Sequence, residues 1–106
     1  MAVMLFEKAV AQGDPDAMFG LAHLYEDGLY EDGRGVVQSF QKAAELYTMA
    51  TEQGHVSAMS NLGLLYIQGE GVDQSNELAR KWWTKAANEG EKNAINNLKA
   101  LDQQEA

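Results

Sequence analysis

The chain has 106 residues, a net charge of −8, one proline and no cysteine. This length is typical of one domain, and an apolar fraction of 45% is normal for a globular protein. The lack of cysteine excludes a disulfide framework, a cysteine-ligated zinc site and a thiol nucleophile.

The acidic charge bears on the choice of partner. Residues 1–53 hold nine acids and three bases, and residues 54–106 hold seven acids and five bases. Such a surface repels phosphate backbones, so we expect no nucleic-acid partner and favour a protein or peptide with basic character. No stretch of 18 apolar residues occurs, so we expect no membrane insertion. The start, MAVMLFEKAV, shows no signal-peptide pattern, which favours the cytoplasm.

Three segments of the sequence recur at regular distances. FEKAVAQG from Phe6, YTMATEQG from Tyr47 and WTKAANEG from Trp83 align with spacings of 41 and then 36 residues. The segments AMFGLAHLY, AMSNLGLLY and AINNLKAL align with the same two spacings. The segments GRGV from Gly33 and GEGV from Gly69 are 36 residues apart. The repeating unit is therefore 36 residues long, and the first copy holds five residues more.

The extra five residues are visible as a tandem duplication of LYEDG, at 24–28 and 29–33. Because only pairs that span 29–33 have the longer spacing, we assign these residues as an insertion between two helices. Either they form a protrusion that carries Tyr30, Glu31 and Asp32, or they add a helical turn that delays the end of the helix to Gly33. Loop-closure cost grows slowly with length, so the fold tolerates either outcome.

The first helix of each unit begins with a capping signal and ends with glycine. Asp14 followed by Pro15 is typical of a helix start, and Gly28 is typical of a helix end. Between them, an apolar stripe at helical spacing predicts one buried face. The stripe consists of Ala17, Leu21, Leu24 and Tyr25.

The second helix of each unit begins near Ser39 or Ser75, which are plausible caps. Its predicted buried face is Ala43, Leu46, Tyr47 and Ala50 in the first unit, and Ala79, Trp82, Trp83 and Ala86 in the second. Adjacent helical positions point about 100° apart, so the two tryptophans cannot form one stacking platform, and we interpret at least one of them as a core residue. The predicted helices span 2–12, 16–27, 39–53, 58–68, 74–89 and 94–101.

The pattern A-x-x-x-L-G-x-x-Y, then G-x-G-V, then aromatics and K-A-A-x-x-G resembles the Sel-one-like repeat, a relative of the tetratricopeptide repeat. The best copy has Ala58, Leu62, Gly63, Tyr66, Gly69, Gly71, Val72, Ala79, Trp82, Trp83, Lys85, Ala86, Ala87 and Gly90. The first copy has Ala22 where the family has glycine. The resemblance covers residues 2–101.

This resemblance implies an all-α, right-handed α–α superhelix of about six antiparallel helices. The single repeat domain, 1–106, then divides into four parts. They are a second helix from a partial repeat (2–13), a repeat with the insertion (14–54), a second repeat (55–90), and a terminal helix with a tail (91–106).

No catalytic or metal-binding motif is present in the sequence. His23 and His55 are 32 positions apart and form no H-x-x-x-H or H-E-x-x-H pattern, and no G-x-S-x-G elbow occurs. Gly69 and Gly71 are interpreted as turn glycines, because no strand precedes them. The acids of the doubled LYEDG lack the order of a calcium loop. We therefore expect no enzyme activity, no cofactor and no bound metal.

A binding surface remains the favoured reading. In tetratricopeptide-like superhelices the first helix of each pair lines the concave face, so the resemblance implies a ligand surface on the positions outside the repeat anchors. These are Phe19, His23, Glu26, Asp27, Ser60, Leu64, Ile67, Gln68 and Asn96. The alternative for Phe19 and Leu64 is packing against the adjacent repeat.

The function that the resemblance implies is a non-catalytic protein interaction module or adaptor, which binds a peptide or a protein surface. The alternative is a structural subunit or fragment held within a larger multiprotein assembly.

Overall fold

The computed structural model describes residues 2–28, 30–31, 34–35 and 38–105. The described part contains six helices and two short strands. In chain order they are α1 (Ala2–Ala11), α2 (Pro15–Asp27), β1 (Tyr30–Glu31), β2 (Arg34–Gly35), α3 (Phe40–Glu52), α4 (Val56–Gln68), α5 (Asn76–Asn88) and α6 (Lys92–Glu105).

The predicted caps begin and end the helices. The Asp14 carboxylate accepts a hydrogen bond from the backbone N–H of Asp16 at 3.0 Å. Ser39 and Ser75 cap α3 and α5 in the same way, through their hydroxyl oxygens. Helix α2 ends at Gly28, whose φ of 65° lies in the left-handed region that glycine adopts most readily.

Helix α6 is longer than predicted. The last predicted residue was 101, whereas the helix continues to Glu105. The extra turn is polar and carries no apolar signal, but Arg80 of α5 forms ion pairs with both Asp102 and Glu105. The extra turn is thus held by contacts with another helix, which the local sequence pattern does not show.

Each helix packs on its neighbours in the chain, from α1 against α2 to α5 against α6. The result is an elongated body of 46 × 23 × 20 Å. The all-α solenoid prediction is confirmed. The two short strands, which pair with Tyr30 opposite Gly35 and Glu31 opposite Arg34, were not predicted.

The core consists of two apolar clusters. The first is centred on Tyr47, Leu62 and Leu65, which are almost fully buried, and the second is centred on Trp83. The expectation that at least one tryptophan is a core residue is confirmed, since Trp83 is buried and Trp82 is half-buried.

The predicted stripe on α2 is buried only in part. Ala17 and Leu21 are buried, whereas Leu24 and Tyr25 are half-buried, and Met18 and Ala22 are buried although the stripe omitted them. Helix α2 packs on both α1 and α3, so a wider arc of its surface is covered than one stripe describes.

The end of α2 decides between the two expectations for the insertion. Because the N–H of Gly28 caps the helix by donating to Leu24 O, the expected extra helical turn to Gly33 is wrong. Tyr30 and Glu31 form β1 instead, and Asp32 lies outside the described residues.

The two units close in the same way despite their different loop lengths. In the first unit the N–H of Ser39 donates to Tyr25 O at 2.8 Å, and in the second the N–H of Ser75 donates to Tyr66 O at 2.9 Å. These pairs are 14 and 9 positions apart, so the five additional residues lie between matching anchors. The assignment of 29–33 as the inserted residues stays an inference from the spacing.

Candidate functional site

The first helices of the units, α2, α4 and α6, are linked side by side, and we call their shared surface the first-helix face. His55 lies 3.0 Å from the Asp16 carboxylate, and the Asn61 amide nitrogen lies 3.2 Å from His23 Nε2. The Ser60 hydroxyl donates to Glu91 at the start of α6, at 3.3 Å. Hydrogen bonds between side chains therefore connect the three first helices on this face.

Phe19 is at the centre of an aromatic group on this face. Its ring stacks on His55 with centroids 4.7 Å apart and meets the His23 ring edge-on at 4.9 Å. The Tyr47 ring lies 5.8 Å away. Phe19 is half-buried, so one part of its ring packs against the next repeat while another part stays accessible. The packing reading of Phe19 is thus supported, and its role as a contact surface stays a prediction.

His55 caps α4 and connects it to α2. Its Nδ1 accepts a hydrogen bond from the N–H of Ala58 at 3.1 Å, so the ring proton is on Nε2 and is donated to Asp16. The Asp16 side chain is 89% exposed, which leaves this carboxylate available to a partner. His55 is thus the N-cap residue of α4.

A hydrogen-bond chain joins Glu26 to His23 through the core. The hydroxyl of Tyr47 donates to Glu26 at 2.7 Å and accepts from the Asn61 amide at 3.3 Å, and the same amide reaches His23. Burial is the main cause that raises the pKa of the Tyr47 phenol far above its ordinary value, and the hydrogen bond to Glu26 raises it further. The phenol therefore stays protonated and holds the Glu26 carboxylate in a fixed orientation.

In the second unit the positions equivalent to Tyr47 and Glu26 hold apolar residues. Trp83 takes the place of Tyr47, and its indole N–H donates to the carbonyl of Ser60 at 3.0 Å. Ile67 takes the place of Glu26, and both Leu64 and Ile67 are half-buried against the second core cluster. The first-helix face is thus carboxylate-rich in the first unit and apolar in the second.

The remaining predicted contact residues differ in accessibility. Asp27, Gln68 and Asn96 are exposed, whereas the Ser60 residue is only 3% exposed and already bonded to Glu91. Because Ser60 is buried, it is not part of the accessible surface of this face. Tyr30 and Glu31 lie in β1, which follows α2 in the chain, and are not part of the helices that form the first-helix face.

Sequence reasoning did not select Asp16, Tyr47 or Asn61 as members of this face. All three contribute to its polar links. The signal that could have found Asp16 and Asn61 is their position on the same helical surface as Phe19 and Leu64, three residues before each of them. Tyr47 belongs to a second helix, so only packing could bring it here.

The described residues contain no group of three or more histidines and acids placed to hold a metal ion. Within the same ranges, no helix has the length and apolar character needed to cross a membrane.

The stacked helix pairs and their linked first helices define an α-helical repeat protein. The family model of the Sel1 repeat matches residues 1–14, 15–55 and 56–91, so the chain belongs to the Sel1 repeat family. Sel1 repeat proteins generally act in protein–protein interaction and are typically non-catalytic scaffolds. A search of curated protein sequences finds no match.

Three solved structures illustrate the similarity. The chain is 33% identical to c5321, a protective antigen of uropathogenic Escherichia coli strains with an SLR fold, with a TM-score of 0.87 over 96% of this chain and 21% of that one. It is 34% identical to a Sel1 repeat protein from Oxalobacter formigenes, with a TM-score of 0.76 over 86% of this chain and 35% of that one. It is 26% identical to Helicobacter pylori cysteine rich protein B, with a TM-score of 0.81 over 91% of this chain and 68% of that one. The chain thus spans about a fifth and about a third of the first two.

Proposed function

We propose that the chain is a non-catalytic interaction module that binds a peptide or protein surface with basic side chains on its first-helix face, the face that the resemblance to tetratricopeptide-like superhelices predicts to be concave. The observation that carries this proposal is the accessible part of Phe19 beside carboxylates held in place. Asp16 is oriented by His55, and Glu26 is oriented by Tyr47.

The chemistry of this half of the face suits an arginine or lysine side chain. A cation can lie against an aromatic ring and pair with a carboxylate at the same time. Asp27 adds an exposed carboxylate one position after Glu26, at the end of α2. Since the carboxylates need no rearrangement before they bind, little ordering entropy is lost on contact.

The apolar half of the face extends the same surface. Leu64 and Ile67 are partly accessible, and Gln68 and Asn96 at the margin of the face are exposed. A partner segment with basic residues toward α2 and an apolar residue toward α4 matches this order. The proposed contact residues are therefore Asp16, Phe19, His23, Glu26, Asp27, Leu64, Ile67, Gln68 and Asn96.

The test is a selection of random peptides against the immobilised chain, followed by affinity measurements on variants. We expect the selected peptides to be enriched in arginine and lysine. Asp27→Lys should weaken their binding by about tenfold or more, because it replaces an attraction by a repulsion. Phe19→Ala should weaken binding while helicity by circular dichroism is retained.

The matched control is Glu89→Lys. Glu89 is an exposed acid at the C-cap of α5, just as Asp27 is an exposed acid at the end of α2, so both substitutions change the net charge equally. If Glu89→Lys weakened binding as much as Asp27→Lys, only the net charge would matter, and the proposed face would be wrong.

A second candidate function is a structural subunit within a larger assembly. The observation that favours it is Leu5 on α1, which is 67% exposed and is the most exposed large apolar side chain of the described residues. Such a side chain fits a surface that a neighbour covers. If Leu5→Lys left every copurifying protein in place, this candidate would fail.

A further inference from the structure

The outward residues of α3 and α5 form a second surface, which we call the second-helix face. It carries two of the three exposed large apolar side chains of the described residues, Met49 at 41% and Leu78 at 38%. Glu45 of α3 and Lys81 of α5 are also exposed there, and they are 36 residues apart. They occupy the same position in consecutive repeats but carry opposite charges.

The α3 half of this face is an acidic surface with an apolar groove. The groove has a volume of about 420 Å³, and Ala44, Glu45, Met49 and Val72 contribute to its lining. Helix α3 has two acids, Glu45 and Glu52, against the single base Lys42, and the connection before α5 adds Glu70 and Asp73. The Lys42 ammonium lies 5.1 Å from the Tyr25 ring centroid.

The α5 half is a basic surface around an aromatic ring. The ammonium groups of Lys81 and Lys85 lie 5.0 and 5.1 Å from the Trp82 ring centroid. Helix α5 holds one acid, Glu77, and three bases, of which Arg80 is paired with α6. The α5 half thus presents two ammonium groups beside apolar surface.

The two halves border each other. Trp82 packs against the first core cluster, which includes Ala43 and Ala44 of α3. The backbone at Gly71, just before α5, lies directly against the Phe40 carbonyl at the start of α3. One continuous face therefore changes from acidic to basic across the boundary between α3 and α5.

We propose that a second copy of the chain docks on the second-helix face. In this dimer a two-fold axis runs parallel to α3 and α5 and between them, so that α3 of each copy faces α5 of the other. Because Glu45 and the partner subunit's Lys81 hold the same position in their repeats, they meet at the same height. The symmetry forms this pair twice, and the dimer covers Met49 and Leu78 of both copies.

Charge order is the reason for choosing a second copy. A basic peptide would match only the α3 half, and an acidic peptide would match only the α5 half. A copy of the same face, turned by the two-fold axis, matches both halves at once. The net charge of −8 opposes association in other orientations, where acidic surfaces meet.

The size of the face predicts a weak dimer. Helices α3 and α5 have 13 residues each, so each is about 20 Å long. Two such helices side by side cover about 400 Å² per copy, or about 800 Å² in total, which is half of a standard stable interface. We expect a dissociation constant on the order of 100 µM at low salt, which rises with ionic strength because the charge pairs are exposed.

The test is sedimentation equilibrium of the 106-residue chain from about 10 µM to about 1 mM, a range that brackets the expected constant. Glu45→Lys and Lys81→Glu should each weaken self-association by about tenfold or more. An equimolar mixture of the two variants should restore it as a heterodimer, because the two reversals face each other across the axis.

Two controls separate this arrangement from a general effect of charge. Glu7→Lys and Lys99→Glu change the net charge by the same amounts at exposed positions outside α3 and α5 and should leave self-association within about twofold. All four substitutions are at exposed side chains, so each variant is expected to keep the helicity of the parent.

Three results would overturn the proposal. The chain could remain monomeric at about 1 mM, the reversals could leave association unchanged, or the mixture of variants could fail to recover it. Loss of association in Asp27→Lys, with no effect of Glu45→Lys, would place the contact on the first-helix face instead. Because the proposal uses none of the first-helix residues, its outcome is independent of the proposed peptide binding.

Discussion

Gly63→Ala is a sensitive test of how the second repeat packs. Gly63 lies in the interior of α4, where alanine is the better helix former by about 1 kcal/mol. Propensity alone therefore predicts a more stable protein. However, a Cβ at this position would lie 2.6 Å from Cδ1 and 2.8 Å from Cε2 of Trp83, and closer still to Nε1.

Packing outweighs propensity at this position. To reach normal contact distance, the Trp83 ring must move by roughly 1 Å in a close-packed core. Overpacking of this kind costs about 1–3 kcal/mol, and displacement of the indole N–H from the Ser60 carbonyl costs about 1–3 kcal/mol more if the bond breaks. After the gain in propensity is subtracted, we expect a net loss of about 2 kcal/mol, or roughly 8–16 °C in thermal midpoint.

The assay is urea unfolding followed by circular dichroism, performed as a double-mutant cycle with Trp83→Phe. The smaller ring leaves room for a methyl group, so Gly63→Ala should cost at least about 1 kcal/mol less in the Trp83→Phe background. The first unit already shows this compensation, with buried Ala22 at the position of Gly63 and Tyr47 at the position of Trp83. A stabilising effect of Gly63→Ala in the parent chain would refute the reasoning.

Three further predictions concern other contacts. Tyr47→Phe should cost about 1–2 kcal/mol at neutral pH, because Glu26 loses its hydrogen-bond donor. In the folded protein the raised pKa keeps the Tyr47 phenol protonated, whereas in the unfolded chain the phenol ionises near pH 10. Because this ionisation stabilises the unfolded state, the free energy of unfolding of the parent should fall by about 1.4 kcal/mol more than that of Tyr47→Phe between about pH 9 and 11, as measured by urea unfolding. Gly71→Ala should destabilise by at least about 1 kcal/mol more than Gly54→Ala in the same assay, since both have positive φ but only Gly71 lies against α3 backbone; equal losses would contradict this. Deletion of 29–33 should change the stability by only about 0.5 kcal/mol, because the loop anchors match those of the second unit, and a large drop in thermal midpoint would show that the insertion supports the fold.

Most of the fold could be predicted from the 36-residue spacing of the repeated segments and from the residues at the helix ends. The capping residues and the αL glycines act within a few positions of themselves, so Asp14, Ser39, Ser75 and Gly28 predicted helix ends correctly. The end of α6 was missed because it depends on Arg80, a residue of another helix.

The candidate face was predictable only as a set of helical positions. The spacing selected Phe19 and Glu26, but it could not show that Phe19 stacks on His55 or that Tyr47 bonds to Glu26. These contacts join residues 21 or more positions apart. Their existence depends on how neighbouring repeats stack, and no local pattern carries that information.

The sequence by itself determined the class of fold, because its 36-residue period and its helix caps are local signals that need no knowledge of packing. It also located the insertion, since a change of spacing is visible in the letters alone. Only the tertiary structure decided what each repeated position does in this chain. Ser60 is at a predicted contact position yet is buried, because the next helix begins over it with Glu91. The side chains that share a face are chosen by the stacking of one repeat on the next, which is a property of the folded chain.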